Sequence, residues 1–206
     1  MHDSQILPTP NDCALPRRRA DFATFNEAID YAALSEKGLN FHDMRGTLER
    51  AYPYREMRED ALAMARRLVA AGIGPKDRVA LIADTSPEFA ALFCACIYAG
   101  AWPVPLPLPT TFGGKESYID QLVVQLESAD PAILLFPPEI AEMTRAAAQR
   151  IDCTAIDWAE FATREAPEAD LPEASPEDIC YLQYSSGSTR FPTGVAGTHK
   201  ALLHNL

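Results

Sequence analysis

Three short apolar runs constrain this chain most: RVALIAD at 78–84, AILLFP at 132–137 and ICYLQYS at 179–185. Each reads as a buried strand. Between and around them stand segments with helical spacing. The stretch 22–35 places Phe25, Ile29 and Ala33 at that spacing, and 54–71 carries Leu62, Ala65, Leu68 and Val69 as an inner stripe with charges opposite. Ser86 is an N-cap candidate with Pro87 at the first helical position, opening a helix to 100. Further helices are expected at 115–128 and 138–150. The alternation predicts an α/β fold: a layered sheet with helices on both faces, joined by right-handed crossovers.

The punctuation agrees. Gly72 and Gly74 are placed to end the second helix in a left-handed cap. Two short strands are expected at 41–54, turning at Gly46. The run AWPVPLPLPTTFGG at 101–114 holds Pro103, Pro105, Pro107 and Pro109 and excludes a helix. Trp102 to Val104 reads as one short strand, with a stiff extended loop after it, because proline lacks the N–H that a central strand needs. CTAID at 153–157 is a further strand. Residues 163–178 are acidic and proline-rich and read as a solvated connection. A return strand at 195–198 and a helix from Lys200 follow. Residues 1–20, with Pro8, Pro10 and Pro16, read as an irregular leader. Trp102 reads as a core anchor.

Charge and cysteine usage narrow the function classes. With 18 basic and 29 acidic residues, the net charge of −11 argues against a general nucleic-acid binder. Arg17–Arg19 is followed by a segment broken by Asp21, Glu27 and Asp30, so it is not a secretory signal. No apolar run is long enough for a transmembrane helix. The five cysteines, Cys13, Cys94, Cys96, Cys153 and Cys180, include no CxxC pair. They read as free thiols in a reducing cytosol rather than metal ligands.

The segment YSSGSTRFPTGV at 184–195 carries the chemistry. Ser185, Ser186, Ser188, Thr189 and Thr193 offer hydroxyls, Gly187 and Gly194 permit close backbone approach, and Arg190 adds a fixed positive charge. Consecutive N–H groups in such a turn form an anion site. An ordinary polar hairpin turn is the plain alternative. A Walker A loop is excluded, since no Gly-Lys-Ser/Thr follows.

This segment resembles the phosphate-binding loop of adenylate-forming enzymes, the superfamily of acyl-CoA ligases, peptide-synthetase adenylation domains and luciferases. Ser185, Ser186, Gly187, Ser188, Thr189, Pro192, Gly194 and Val195 match the family pattern. Arg190 stands where a second glycine is usual, and Thr193 replaces the usual lysine. The segments PVPLPLPTTFGGKESYIDQL and LQYSSGSTRFPTGV are similar to fatty acyl-AMP ligases in particular. The resemblance implies ATP and Mg²⁺ as cofactors, a fatty acid substrate and an acyl-carrier protein as acceptor. It also implies that residues 21–206 are an incomplete N-terminal AMP-binding domain of a cytoplasmic enzyme, inactive alone, with Leu202, Leu203 and Leu206 left uncovered. Fragments of an acyl-CoA ligase or adenylation domain, and a non-catalytic interaction module, are the alternatives. His199 is expected to make a structural hydrogen bond rather than to line an acyl pocket.

Overall fold

A computed structural model of the chain describes residues 15, 21–109, 114–184 and 194–205. Its centre is a four-stranded parallel sheet made of β3 (Arg78–Ile82), β4 (Trp102–Leu106), β5 (Ile133–Phe136) and β6 (Ala155–Asp157), in the order β4-β3-β5-β6. The connections are α3 (Pro87–Tyr98), α4 (Gly114–Ala129) and α5 (Ala141–Arg150), the last preceded by a 3₁₀ turn at Pro138–Ile140. Ahead of the sheet come α1 (Phe25–Ala32), the hairpin β1 (Gly38–His42) and β2 (Leu48–Pro53), and α2 (Tyr54–Ala70).

Strand geometry explains the layers, because successive side chains point to opposite faces. Val79 and Leu81 of β3 face one core with Ile133, Leu135 and Ile156, covered by α1, α2 and α3. Ala80 and Ile82 face the other with Val104, Leu106, Leu134 and Phe136, covered by α4 and α5. The expected α/β/α layering is therefore present. The step from β3 to β4 runs one way over the first face, and the steps to β5 and β6 run the other way over the second. All three crossovers thus share one hand.

Local chemistry sets the helix ends. Ser86 Oγ accepts from Phe89 N–H at 3.2 Å, with Pro87 first in α3. Gly72 has φ +82° and ends α2, where Ile73 N–H reaches Leu68 O and Gly72 N–H reaches Val69 O, both at 2.9 Å. Gly74 does not share that conformation. On α2 the buried stripe is Met57, Ala61, Ala65 and Leu68, while Leu62 and Val69 flank it half-buried. Asp30 joins three helices by accepting from Tyr98 Oη at 2.7 Å and from Arg58 Nε at 2.5 Å.

Several elements differ from expectation. The first helix is shorter than 22–35, since Thr24 caps it. β4 continues through Pro103 and Pro105 to Leu106. It bonds to β3 through Trp102 N–H to Asp77 O and Ala83 N–H to Leu106 O, both 2.7 Å, so the even residues face β3. The prolines fall on the odd positions, where no donor is needed. An unexpected helix, α6 (Trp158–Ala162), starts at the Asp157 cap and buries Trp158 and Phe161. The acidic connection is not wholly solvated, because Leu171 packs on the first core. Trp102 is half-buried rather than a core anchor. Leu203 is buried and Leu202 half-buried, while Leu206 lies outside the described residues, so the expected apolar exposure is not found at 202 and 203.

Two glycines are held by close packing. A Cβ at Gly38 would lie 2.1 Å from Tyr52 O, and one at Gly197 would lie 2.3 Å from Tyr181 Cε1. A backbone oxygen cannot rotate away, whereas a tyrosine ring can. Gly38→Ala is therefore expected to destabilise by more than about 2 kcal/mol and Gly197→Ala by about 1–2 kcal/mol, read as urea midpoints at constant m-value. The reverse ranking would contradict this packing.

Candidate functional site

The segment expected to carry the chemistry is flanked by two paired strands. β7 (Ile179–Tyr184) pairs antiparallel with β8 (Gly194–Thr198), and Tyr184 stands opposite Gly194. Of the site residues expected from sequence, Ser185, Ser186, Gly187, Ser188, Thr189, Arg190 and Thr193 lie outside the described residues. Gly194 is described, and it opens β8.

β7 runs beside β4 without joining its ladder. Pro103 and Pro105 account for this, because they remove the donors on the edge that faces away from β3. Side chains hold the hairpin instead. Leu182 and Tyr184 pack against the core beneath α4 and α5, and Tyr184 Oη donates to Ser128 Oγ of α4 at 3.0 Å.

The opposite end of the hairpin is anchored by α7 (His199–Leu203) and the turn before β7. His199 N–H reaches Asp178 O at 3.1 Å, and Lys200 N–H reaches Pro176 O at 2.9 Å. Thr198 Oγ1 caps α7 by accepting from Ala201 N–H at 3.1 Å. His199 is 2% exposed, and its Nδ1 accepts from Phe25 N–H at 3.0 Å. This bond satisfies a donor at the start of α1 that the helix cannot pair internally. The expected structural hydrogen bond of His199 is present. Sequence alone gave no sign of its partner, which lies 174 residues away.

Burial pushes the His199 imidazole below its ordinary value, against an opposing pull from Asp178. The neutral ring keeps Nδ1 free to accept. His199, Trp102, Cys180 and Asp178 line a cavity of about 270 Å³ beside the start of β4. Lys200 sits at the surface, paired with Glu177 at 2.9 Å. Burial raises the thiols of Cys153 and Cys180 to about 11 and that of Cys94 to about 12, so none is a ready thiolate. Among the described residues no group of three or more His, Cys, Asp or Glu is placed to hold a metal. Among them, too, no helix is long and apolar enough to cross a membrane.

Known proteins resemble this chain throughout. The family model described as AMP-binding enzyme matches residues 30–206. A putative acyl-CoA synthetase of Caulobacter vibrioides is 43% identical over 206 residues, covering 98% of this chain and 35% of the relative. A long-chain-fatty-acid–AMP ligase of Mycolicibacterium smegmatis is 32% identical, covering 84% and 28% respectively. A solved structure from work on fatty acyl-adenylate ligases of E. coli and L. pneumophila superposes with a TM-score of 0.87 at 41% identity, covering 92% of this chain and 34% of the other. The chain spans about a third of the length of these relatives.

The buried imidazole gives stability a pH dependence of definite sign. With the folded value lowered, the unfolded chain binds the proton more readily, so stability rises with pH in the window between the two values. The His199 contribution is complete above about 6.5 and is lost as pH falls below it. Urea midpoints between pH 7.5 and 5.5 should decline in the wild type and stay flatter in His199→Asn, whose amide oxygen can accept from Phe25 N–H without titrating. Parallel curves for the two would contradict this.

Proposed function

Because the chain belongs to the AMP-binding enzymes, we propose that it supplies the ATP-phosphate site of a fatty acyl-AMP ligase. The observation that carries this reading is the hairpin. Tyr184 and Gly194 are paired across it, and the connection between them is SSGSTRFPT, five hydroxyls and one guanidinium with no carboxylate. That donor set suits a polyphosphate. Ser185, Ser186, Gly187, Ser188, Thr189, Arg190, Thr193 and Gly194 are its residues.

In this reading a fatty carboxylate oxygen attacks the α-phosphorus of ATP. The bond from that phosphorus to the bridging oxygen breaks, and pyrophosphate leaves with its electron pair, giving acyl-adenylate. The chain's own residues hold the β- and γ-phosphates and stabilise charge on the leaving group by positioning and electrostatics. No thiolate or general base is required. Mg²⁺ supplies charge neutralisation when bound with ATP, and no described residue is assigned to it.

Residues 21–206 are the first part of the AMP-binding domain, and a longer cytoplasmic chain supplies the remainder. The 206 residues alone are inactive. An acyl-carrier protein is the acceptor in this reading, and the relatives named for AMP-ligase and adenylate-ligase activity support the acyl-adenylate step that precedes transfer. Coenzyme A is a second reading, favoured by the Caulobacter relative named as an acyl-CoA synthetase.

Pyrophosphate release by the full natural chain tests the proposal. Fatty acids should support release and amino acids should not. Arg190→Ala should raise the ATP KM about tenfold, the loss of one charge-assisted phosphate contact. Release with amino acids alone, or an unchanged ATP KM, would count against it.

A further inference from the structure

Gly194 sits where a phosphate-binding loop would end, yet its surroundings give another reason for the glycine. Its φ is not in the positive range that favours glycine, so alanine meets no backbone penalty there. What alanine meets is side chains. A Cβ would lie 3.2 Å from Leu182 Cδ1 and 3.4 Å from Tyr184 Cε1. Both of those residues pack, partly buried, against the core under α4 and α5. Tyr184 is also tied to Ser128, in the last turn of α4. The residue that ends β7 is paired with the residue that begins β8, and the side chains lining the space beside Gly194 are braced on the main sheet's core and, through Tyr184, on α4.

We propose that Leu182, Tyr184 and Gly194 form a seat, linked through Ser128 to α4, that fixes where the connection 185–193 leaves and re-enters the hairpin. Leu182 and Tyr184 are positioning residues that act on nucleotide only through the connection they hold, and Gly194, the last residue of the proposed phosphate site, is the point at which they hold it. The functional consequence rests on the proposed ATP site, while the seat itself does not. The prolines of β4 give the seat its importance. Without a ladder between β4 and β7, these side-chain contacts set the hairpin's position on the sheet at the end joined by 185–193.

The test uses the full natural chain and a volume swap. Gly194→Ala presses Leu182 Cδ1 back by a few tenths of an ångström and closes the space beside the Tyr184 ring to ordinary contact, and it should raise the ATP KM about fivefold with the fatty-acid KM unchanged. Leu182→Ala in the same chain makes room for the new methyl. The double variant should return to within about twofold of Leu182→Ala alone, a non-additive result. Amide hydrogen exchange across 182–196 reads the seat without nucleotide. It should quicken in Gly194→Ala, fall back in the double variant to the rate of Leu182→Ala alone, and quicken equally in Tyr184→Phe, in Ser128→Ala and in the combination of those two.

A double variant as impaired as Gly194→Ala in both readouts would overturn the proposal, since the methyl would then obstruct the nucleotide or its loop directly. Wild-type exchange and KM in Gly194→Ala would overturn it as well. A wild-type chain that releases no pyrophosphate would sink the ATP reading, and the exchange measurements would still decide the seat.

Discussion

β3 is apolar on both of its faces, and the arrangement of the other elements answers that constraint. Val79 and Leu81 need one cover, and Ala80 and Ile82 need another. Burial of each large side chain is worth about 1.5–3 kcal/mol, so neither face can be left wet. Placing β4 on one side of β3 and β5 on the other, with crossovers of one hand, puts α3 on the first face and α4 and α5 on the second. α1 and α2 then complete the first layer, locked by Asp30 between Tyr98 and Arg58.

The position of the candidate site follows from how that sheet ends. β4 is an edge strand whose outward N–H positions are taken by Pro103 and Pro105. A further strand can pack beside it but cannot extend its ladder. The β7–β8 hairpin is therefore a separate unit, held at one end by His199 on α1 and at the other by Leu182 and Tyr184 on α4 and the core beneath it. A hairpin held by side chains at its two ends, rather than by a shared ladder, can be tuned at those contacts.

Much of this was legible in the sequence, for physical reasons that vary by element. The buried strands and crossover helices were readable because continuous apolar runs and 3.6-residue spacing reflect two-sided and one-sided burial. The Ser86-Pro87 start and the Gly72 stop were readable because caps have fixed chemistry. The reach of β4 was not, because proline was weighed without knowing which edge its missing donor would face. Helix α6 was not, since five residues carry too little periodicity. The His199–Phe25 bond and the Asp30 junction are long-range, and no local pattern encodes them. At the site, residue types fitted either an anion site or an ordinary polar turn, and the phosphate loop was an expectation from the resemblance to adenylate-forming enzymes; what the structure adds is Tyr184 opposite Gly194 and the side chains behind them.

The most direct measurement is the mass of the nucleotide product formed by the full natural chain with ATP, Mg²⁺ and a fatty acid, without an acceptor. The account predicts an acyl-adenylate together with pyrophosphate, because in the proposed function the residues of 185–193 hold the leaving β- and γ-phosphates while the α-phosphorus is attacked. ADP with an acyl phosphate, or no fatty-acid-dependent product at all, would contradict it.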